Sequence, residues 1–163
     1  MSVVEKILPR QASNDYRGSP IALYVFVLLS LVMAGRSLIH FLKDDSGVNS
    51  IATIHMFPGD PDPNTVIYMF SALWGSQQAI MVLLYGVVLF RYRNLIPLMY
   101  VVFLLETGFR AIVAILHPLT AEHYLRTPPG AYANLPMLVI SVAMLVLALR
   151  TRSTPGAAPE TVD

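Results

Sequence analysis

Arg36, Glu106 and Arg110 stand inside stretches of chain that are otherwise apolar enough to cross a bilayer. A charge at the centre of a membrane helix costs about 3 kcal/mol on insertion scales. Such residues face a bundle interior, pair with one another or line a polar cavity, and their chemistry is charge recognition or proton movement. Glu106 and Arg110 have i,i+4 spacing, which puts them on one helix face within reach of an ion pair. His117 continues that face. Arg36 and His40 share the same spacing on an earlier segment. Between these segments, Ser71, Gly75, Gln78, Val82 and Tyr85 form one helical stripe flanked by Trp74.

Depth brings these groups into one layer. At 1.5 Å rise per residue, Arg36 lies about 9 Å below the end of its segment at Leu42. Arg110 stands at the same offset from Leu116, so the two arginines share a depth, with Glu106 one turn further in. Gln77 and Gln78 fall near the middle of the antiparallel segment between them. Two guanidiniums against one carboxylate leave an excess positive charge. Either Asp44 or Asp45 folds in from a neighbouring loop, or an anionic ligand or lipid headgroup completes the site. Arginine's rigid fork suits carboxylate or phosphate. A packing account stands beside this one: Glu106 pairs with Arg110, Gln78 satisfies the remaining hydrogen bonds, and Arg36 lifts its head toward the headgroups. The candidate ligand-binding residues are Arg36, His40, Trp74, Gln78, Glu106 and Arg110.

The elements that must position them are long apolar helices. Of 163 residues, 55% are hydrophobic and 13% charged, with mean hydropathy +0.60. Soluble domains carry roughly 25% charge. A crossing helix needs about 20 apolar residues, and four segments qualify, at about 20–42, 65–90, 95–116 and 131–149. The expectation is an all-α, integral membrane four-helix bundle over 20–150, with an N-terminal tail at 1–19 and a disordered C-terminal tail at 151–163. The tail at 1–19 has no apolar core of the kind a cleavable signal peptide carries.

Loop charge sets the expected orientation. Lys6, Arg10, Arg17, Arg91, Arg93, Arg150 and Arg152 fall on one side, and only Lys43 and Arg126 on the other. The positive-inside rule then predicts cytoplasmic N and C termini. Tyr24, Tyr68, Tyr92 and Tyr132 sit near segment ends, where amphipathic rings favour the headgroup level. The short turn at 91–94 predicts that the second and third segments are antiparallel neighbours. Within the outer loop at 43–64, the moderately apolar run 48–57 predicts a short interfacial helix. The Pro- and Asp-rich stretch at 58–64 then breaks it. Ser71, Gly75 and Ala79 follow a small-xxx-small pattern for close helix approach, and Gly108, Ala111 and Ala114 offer the same on the third segment.

Other chemistry is scarce. The chain has no cysteine, which excludes disulfides and thiolate metal sites. His40, His55, His117 and His123 match no compact metal motif. No histidine sits at the bundle centre to ligate haem. There is no nucleophile motif, phosphate-binding glycine loop or soluble catalytic domain, so no catalytic residue, metal or cofactor is expected. A formal charge of +1 gives no case for nucleic acid.

The four-segment layout, the long first outer loop, Arg91-Tyr92-Arg93 at the inner turn, Gly108-Phe109-Arg110 and Pro128-Pro129-Gly130 carry a resemblance. Over roughly 20–150 the chain resembles the DoxX-like group of small four-helix bacterial membrane proteins, nearest to members without an assigned function. Gly108-Phe109-Arg110 departs from the Gly-Arg pairing of those members. The resemblance implies a bacterial inner-membrane bundle. DoxX itself is associated with a quinone-linked thiosulfate oxidation complex, and no residue here carries that activity over.

The leading expectation is a non-enzymatic multi-pass membrane protein whose Arg/Glu/Gln layer binds a small anionic or amphipathic ligand. Its expected partners are the lipid bilayer, that ligand or a lipid headgroup, and a second copy of the chain. The alternatives are a proton-coupled transporter subunit titrating at Glu106 and a membrane subunit of a quinone-linked redox complex.

Overall fold

The structure is a computed structural model, and it describes residues 2–150. The tail expected to be disordered, 151–163, lies outside the described residues. A short helix α1 (Val3–Ile7) precedes four long ones, α2 (Pro20–Leu42), α3 (Asn64–Arg91), α4 (Ile96–Leu116) and α5 (Pro129–Leu149). Among the described residues there is no strand, only an isolated bridge between Ile54 and Tyr124. All four long helices are long and apolar enough to cross a membrane, which fits a multi-pass membrane protein.

Local chemistry starts the helices where they start. The Ser19 hydroxyl accepts from the Ile21 N–H, and Pro20 follows at a position whose missing N–H costs nothing. Proline also opens α4 and α5. Both ends of the described chain meet at one end of the bundle. There the Lys6 ammonium donates to the Leu149 carbonyl, the Ser19 N–H to the Leu147 carbonyl, and Asn94 is bonded to both Ser13 and Gln11. This is the terminal end; the loops at 43–63 and 117–128 make the loop end.

The core lies toward the terminal end and is aromatic. The Phe26 ring meets Tyr85, Tyr100 and Phe103 edge-on at 5.7, 5.8 and 6.1 Å, and Tyr85 stacks on Phe103 at 4.7 Å. The Tyr100 hydroxyl donates to the Ala22 carbonyl at 2.6 Å. These rings tie α2, α3 and α4 together, and Ala148 adds α5 to the same cluster.

Helix pairs differ in closeness. The most extensive pairing is α2 with α3, followed by α4 with α5. The Gly75 backbone presses on His40 and Phe41, so that a Cβ there would lie 2.6 Å from the Phe41 nitrogen. The expected neighbours α3 and α4 are joined by their short turn, yet their backbones approach at few points. Large side chains fill the space between them. Gly108 meets nothing within 4 Å, and Ala111 and Ala114 are exposed, so the second set of small residues mediates no close approach.

Packing thins toward the loop end. Every residue from Ala111 to Leu116 in α4 is exposed, as is nearly all of the first two turns of α5. The two loops nonetheless join across the gap. The Leu125 N–H donates to the Thr53 carbonyl, the His55 N–H to the His123 carbonyl, and the Thr53 hydroxyl to the Arg126 carbonyl. No helix forms over 48–57, contrary to the expectation of an interfacial one. Ser46, Gly47 and Thr53 take positive φ, and the segment folds as turns that bury Ser46, Gly47, Val48 and Thr53.

Gly75→Ala should destabilise the protein, because a Cβ collides with backbone and outweighs the helix-propensity gain of up to about 1 kcal/mol. Gly86→Ala, with nothing within 4 Å, should be neutral or stabilising. Thermal unfolding in mild detergent checks the contrast, and equal melting temperatures would contradict close α2–α3 packing.

Candidate polar site between the long helices

Three helices deliver the polar side chains to one layer. On α3, Gln78 is buried, and its side-chain N–H donates to Glu106 Oε1 on α4 at 3.1 Å. Arg110, one turn along α4, brings Nη2 to within 3.4 Å of the same oxygen. Glu106 therefore shares one oxygen between an amide and a guanidinium. Both side chains of the ion pair remain about 25% exposed.

Arg36 on α2 stands apart from that pair. Its guanidinium carbon lies 4.7 Å from the centroid of the Trp74 ring on α3, a cation–π arrangement. Among the described residues its side chain has no ion pair and no hydrogen bond. It lies within electrostatic reach of both Arg110 and Glu106, as the shared depth predicted.

Trp74 is the hinge of this cluster, because its other neighbour is the His40 ring at 4.8 Å. His40 is committed to the loop: Nδ1 is 2.7 Å from the Ser46 carbonyl, which makes that nitrogen the donor. The Ser71 hydroxyl donates to the same carbonyl, and Gly47 lies against the imidazole. His40 therefore anchors the loop and braces Trp74.

The loop aspartates do not join the layer. Asp44 is exposed. Asp45 accepts from the backbone N–H groups of Gly47 and Ser50 and lies 3.7 Å from the Lys43 ammonium. Partial burial pushes its carboxyl up, but the bonds from Ser50 and Gly47 and the Lys43 charge outweigh that and hold it below the usual carboxylate range. The excess positive charge thus has no protein carboxylate to meet it among the described residues.

Among the described residues, three buried side-chain polar atoms have no hydrogen-bond partner: Gln78 Oε1, Tyr85 Oη and Arg110 Nε. Native interiors satisfy nearly all such groups, so three orphans around one carboxylate stand out. Tyr85 belongs to the Ser71–Gly75–Gln78 stripe but was not among the residues expected to bind ligand. The signal available for it was its place two turns beyond Gln78 on the same face. His117 ends α4, exposed, and Gln77 also faces outward. The structure thus draws Gln78, Glu106 and Arg110 into one cluster and Arg36, Trp74 and His40 into another beside it.

No protein-family model matches the chain, and neither a curated protein nor a solved structure resembles it significantly.

Arg110→Ala should leave Glu106 with Gln78 as its one partner. Breaking a fully buried pair costs 3–5 kcal/mol, and partial exposure reduces this to about 1–3 kcal/mol. Adding Glu106→Gln should recover part of that loss in a double-mutant cycle measured by unfolding in detergent. Simple additivity would mean that the two side chains do not interact.

Asp45 gives a pH prediction. A carboxyl lowered in the fold stabilises fully above its unfolded value and loses that contribution as pH falls through its folded value. Amide protection at Gly47 and Ser50 should therefore drop on acidification below about pH 4 and be weak at every pH in Asp45→Asn. Protection that ignores both changes would argue against the Asp45 turn.

Proposed function

We propose that this is a multi-pass integral membrane protein, with both termini cytoplasmic, whose polar layer binds a small anionic or amphipathic ligand without catalysing a reaction. Four apolar helices, and the six basic residues Lys6, Arg10, Arg17, Arg91, Arg93 and Arg150 at the terminal end of the described chain, support the membrane placement and its orientation. The DoxX-like resemblance adds a bacterial inner membrane as the location. One observation carries the ligand: Arg36 has no acidic partner among the described residues, and the Glu106 contacts are to Arg110 and Gln78 rather than to Arg36. A cation–π contact supplies about 0.5–2 kcal/mol, against a cost that reaches roughly 3 kcal/mol for a guanidinium at the helix centre. An anion beside Arg36 closes the difference.

Native mass spectrometry of protein extracted in mild detergent, wild type against Arg36→Ala, tests this directly. The expected result is an adduct of defined mass on the wild type that Arg36→Ala loses while keeping its fold. Bare protein in both samples would favour packing alone.

A further inference from the structure

We propose that the layer is loaded sideways from the hydrocarbon, by an amphipath with a single negative charge and a hydroxyl in its head. This rests on the ligand-binding function proposed above and adds the ligand's class and its route.

The route follows from what is closed. Toward the terminal end, Phe26, Tyr85, Tyr100 and Phe103 pack into a continuous aromatic floor, with Phe26, Tyr85 and Tyr100 wholly buried. At the loop end, the bonds from Thr53, His55 and Leu125 bridge the two loops over the gap. Between floor and bridge, the side chains of α4 from Ala111 to Leu116 are exposed, α3 and α4 approach at few points, and the Glu106 and Arg110 side chains are themselves about 25% exposed. The flank is the side left open. Its outer turns are apolar, with Ile112, Ile115 and Leu135 exposed. A molecule entering there meets hydrocarbon-compatible surface first and charge second, which suits an acyl chain carrying an anionic head.

The head's chemistry follows from the orphan atoms and the charge count. The net excess is one positive charge, so one negative charge neutralises it. Arg36, Arg110 Nε and the Tyr85 hydroxyl are donors in need of acceptors, and Gln78 Oε1 is an acceptor in need of a donor. Gln78 and Arg110 both meet Glu106 Oε1, and Tyr85 lies within electrostatic reach of that pair. A phosphodiester or carboxylate supplies the acceptors, and a neighbouring hydroxyl supplies the donor to Gln78. A glycerophospholipid of the phosphatidylglycerol kind has that combination. A zwitterionic choline head lacks both the net charge and the hydroxyl.

Ala114 tests the route, because it continues the Glu106–Arg110 face toward the loop end and is exposed. Full-length wild type, Ala114→Trp, Arg36→Ala and Tyr85→Phe would be placed in phosphatidylcholine nanodiscs and supplied with phosphatidylglycerol vesicles or with water-soluble glycerol 1-phosphate. Bound lipid is read by native mass spectrometry. Phosphatidylglycerol should load on wild type in preference to the surrounding phosphatidylcholine, and glycerol 1-phosphate should not bind. Ala114→Trp should slow loading about tenfold at an unchanged melting temperature. Tyr85→Phe should weaken retention severalfold, as loss of one hydrogen bond to a charged group does.

Arg36-dependent binding of glycerol 1-phosphate, with Ala114→Trp loading as fast as wild type, would overturn sideways loading and leave the ligand-binding function standing. Equal retention of phosphatidylcholine would overturn the head chemistry. Absence of any Arg36-dependent adduct would remove the ligand-binding function itself.

Discussion

The aromatic knot of Phe26, Tyr85, Tyr100 and Phe103 sets the shape on which the polar layer depends. Ring pairs prefer edge-on or offset contacts at 4.5–7 Å, and all four contacts here fall in that range. Rings of that size hold backbones apart, so α3 and α4 cannot close on each other as α2 and α3 do at Gly75. One seam is narrow and the other wide. The narrow seam lets Trp74 on α3 reach both Arg36 and His40 on α2. The wide seam is crossed by the Gln78–Glu106 bond and otherwise leaves polar atoms unpaired.

Within that geometry the electrostatics are lopsided. Glu106 Oε1 receives Arg110 and Gln78, and neither Glu106 oxygen is bonded to Arg36. Asp45 lies close in sequence to the layer but is used in its own turn, where two backbone N–H groups hold it. Those bonds are what allow Ser46 and Gly47 to adopt left-handed backbone and let the Ser46 carbonyl reach His40. The carboxylate that could have neutralised Arg36 instead builds the loop that covers it.

Much of the fold was legible in the sequence because hydropathy and length decide it: four segments of about 20 apolar residues have few other options. The site was legible in part, because i,i+4 spacing fixes that Glu106 and Arg110 share a face, and rise per residue fixes that Arg36 stands level with them. Periodicity names a face but not what lies opposite it. That is why Gly75 and Gly108 looked alike in sequence, though one presses on His40 and Phe41 and the other touches nothing. The run at 48–57 was misread for a related reason. Its moderate hydrophobicity reflects burial of Val48, and the turn at Thr53 is held by its bonds to Leu125 and Arg126, distant in sequence, rather than by local propensity. Tyr85 stands on the Gln78 stripe in sequence, but spacing alone does not show that its ring is core while its hydroxyl is left without a partner.

The uneven packing also bears on motion. Local opening is drawn from regions with few buried apolar contacts, and here those are the outer turns of α4 and α5, the same turns that flank Arg110. The aromatic end holds the helices in register while the other end has little apolar contact to lose by separating. The loop-to-loop bonds limit that separation, since they join residues 53–55 to residues 123–126 across the top and leave the helix flanks untouched. A bundle fastened at one end and bridged at the other can open in the middle of one side, at the depth where its surplus charge lies. The unpaired polar atoms of the layer and the exposed flank of α4 therefore arise from the same packing, in which large rings at one level leave too little side chain to fill the next.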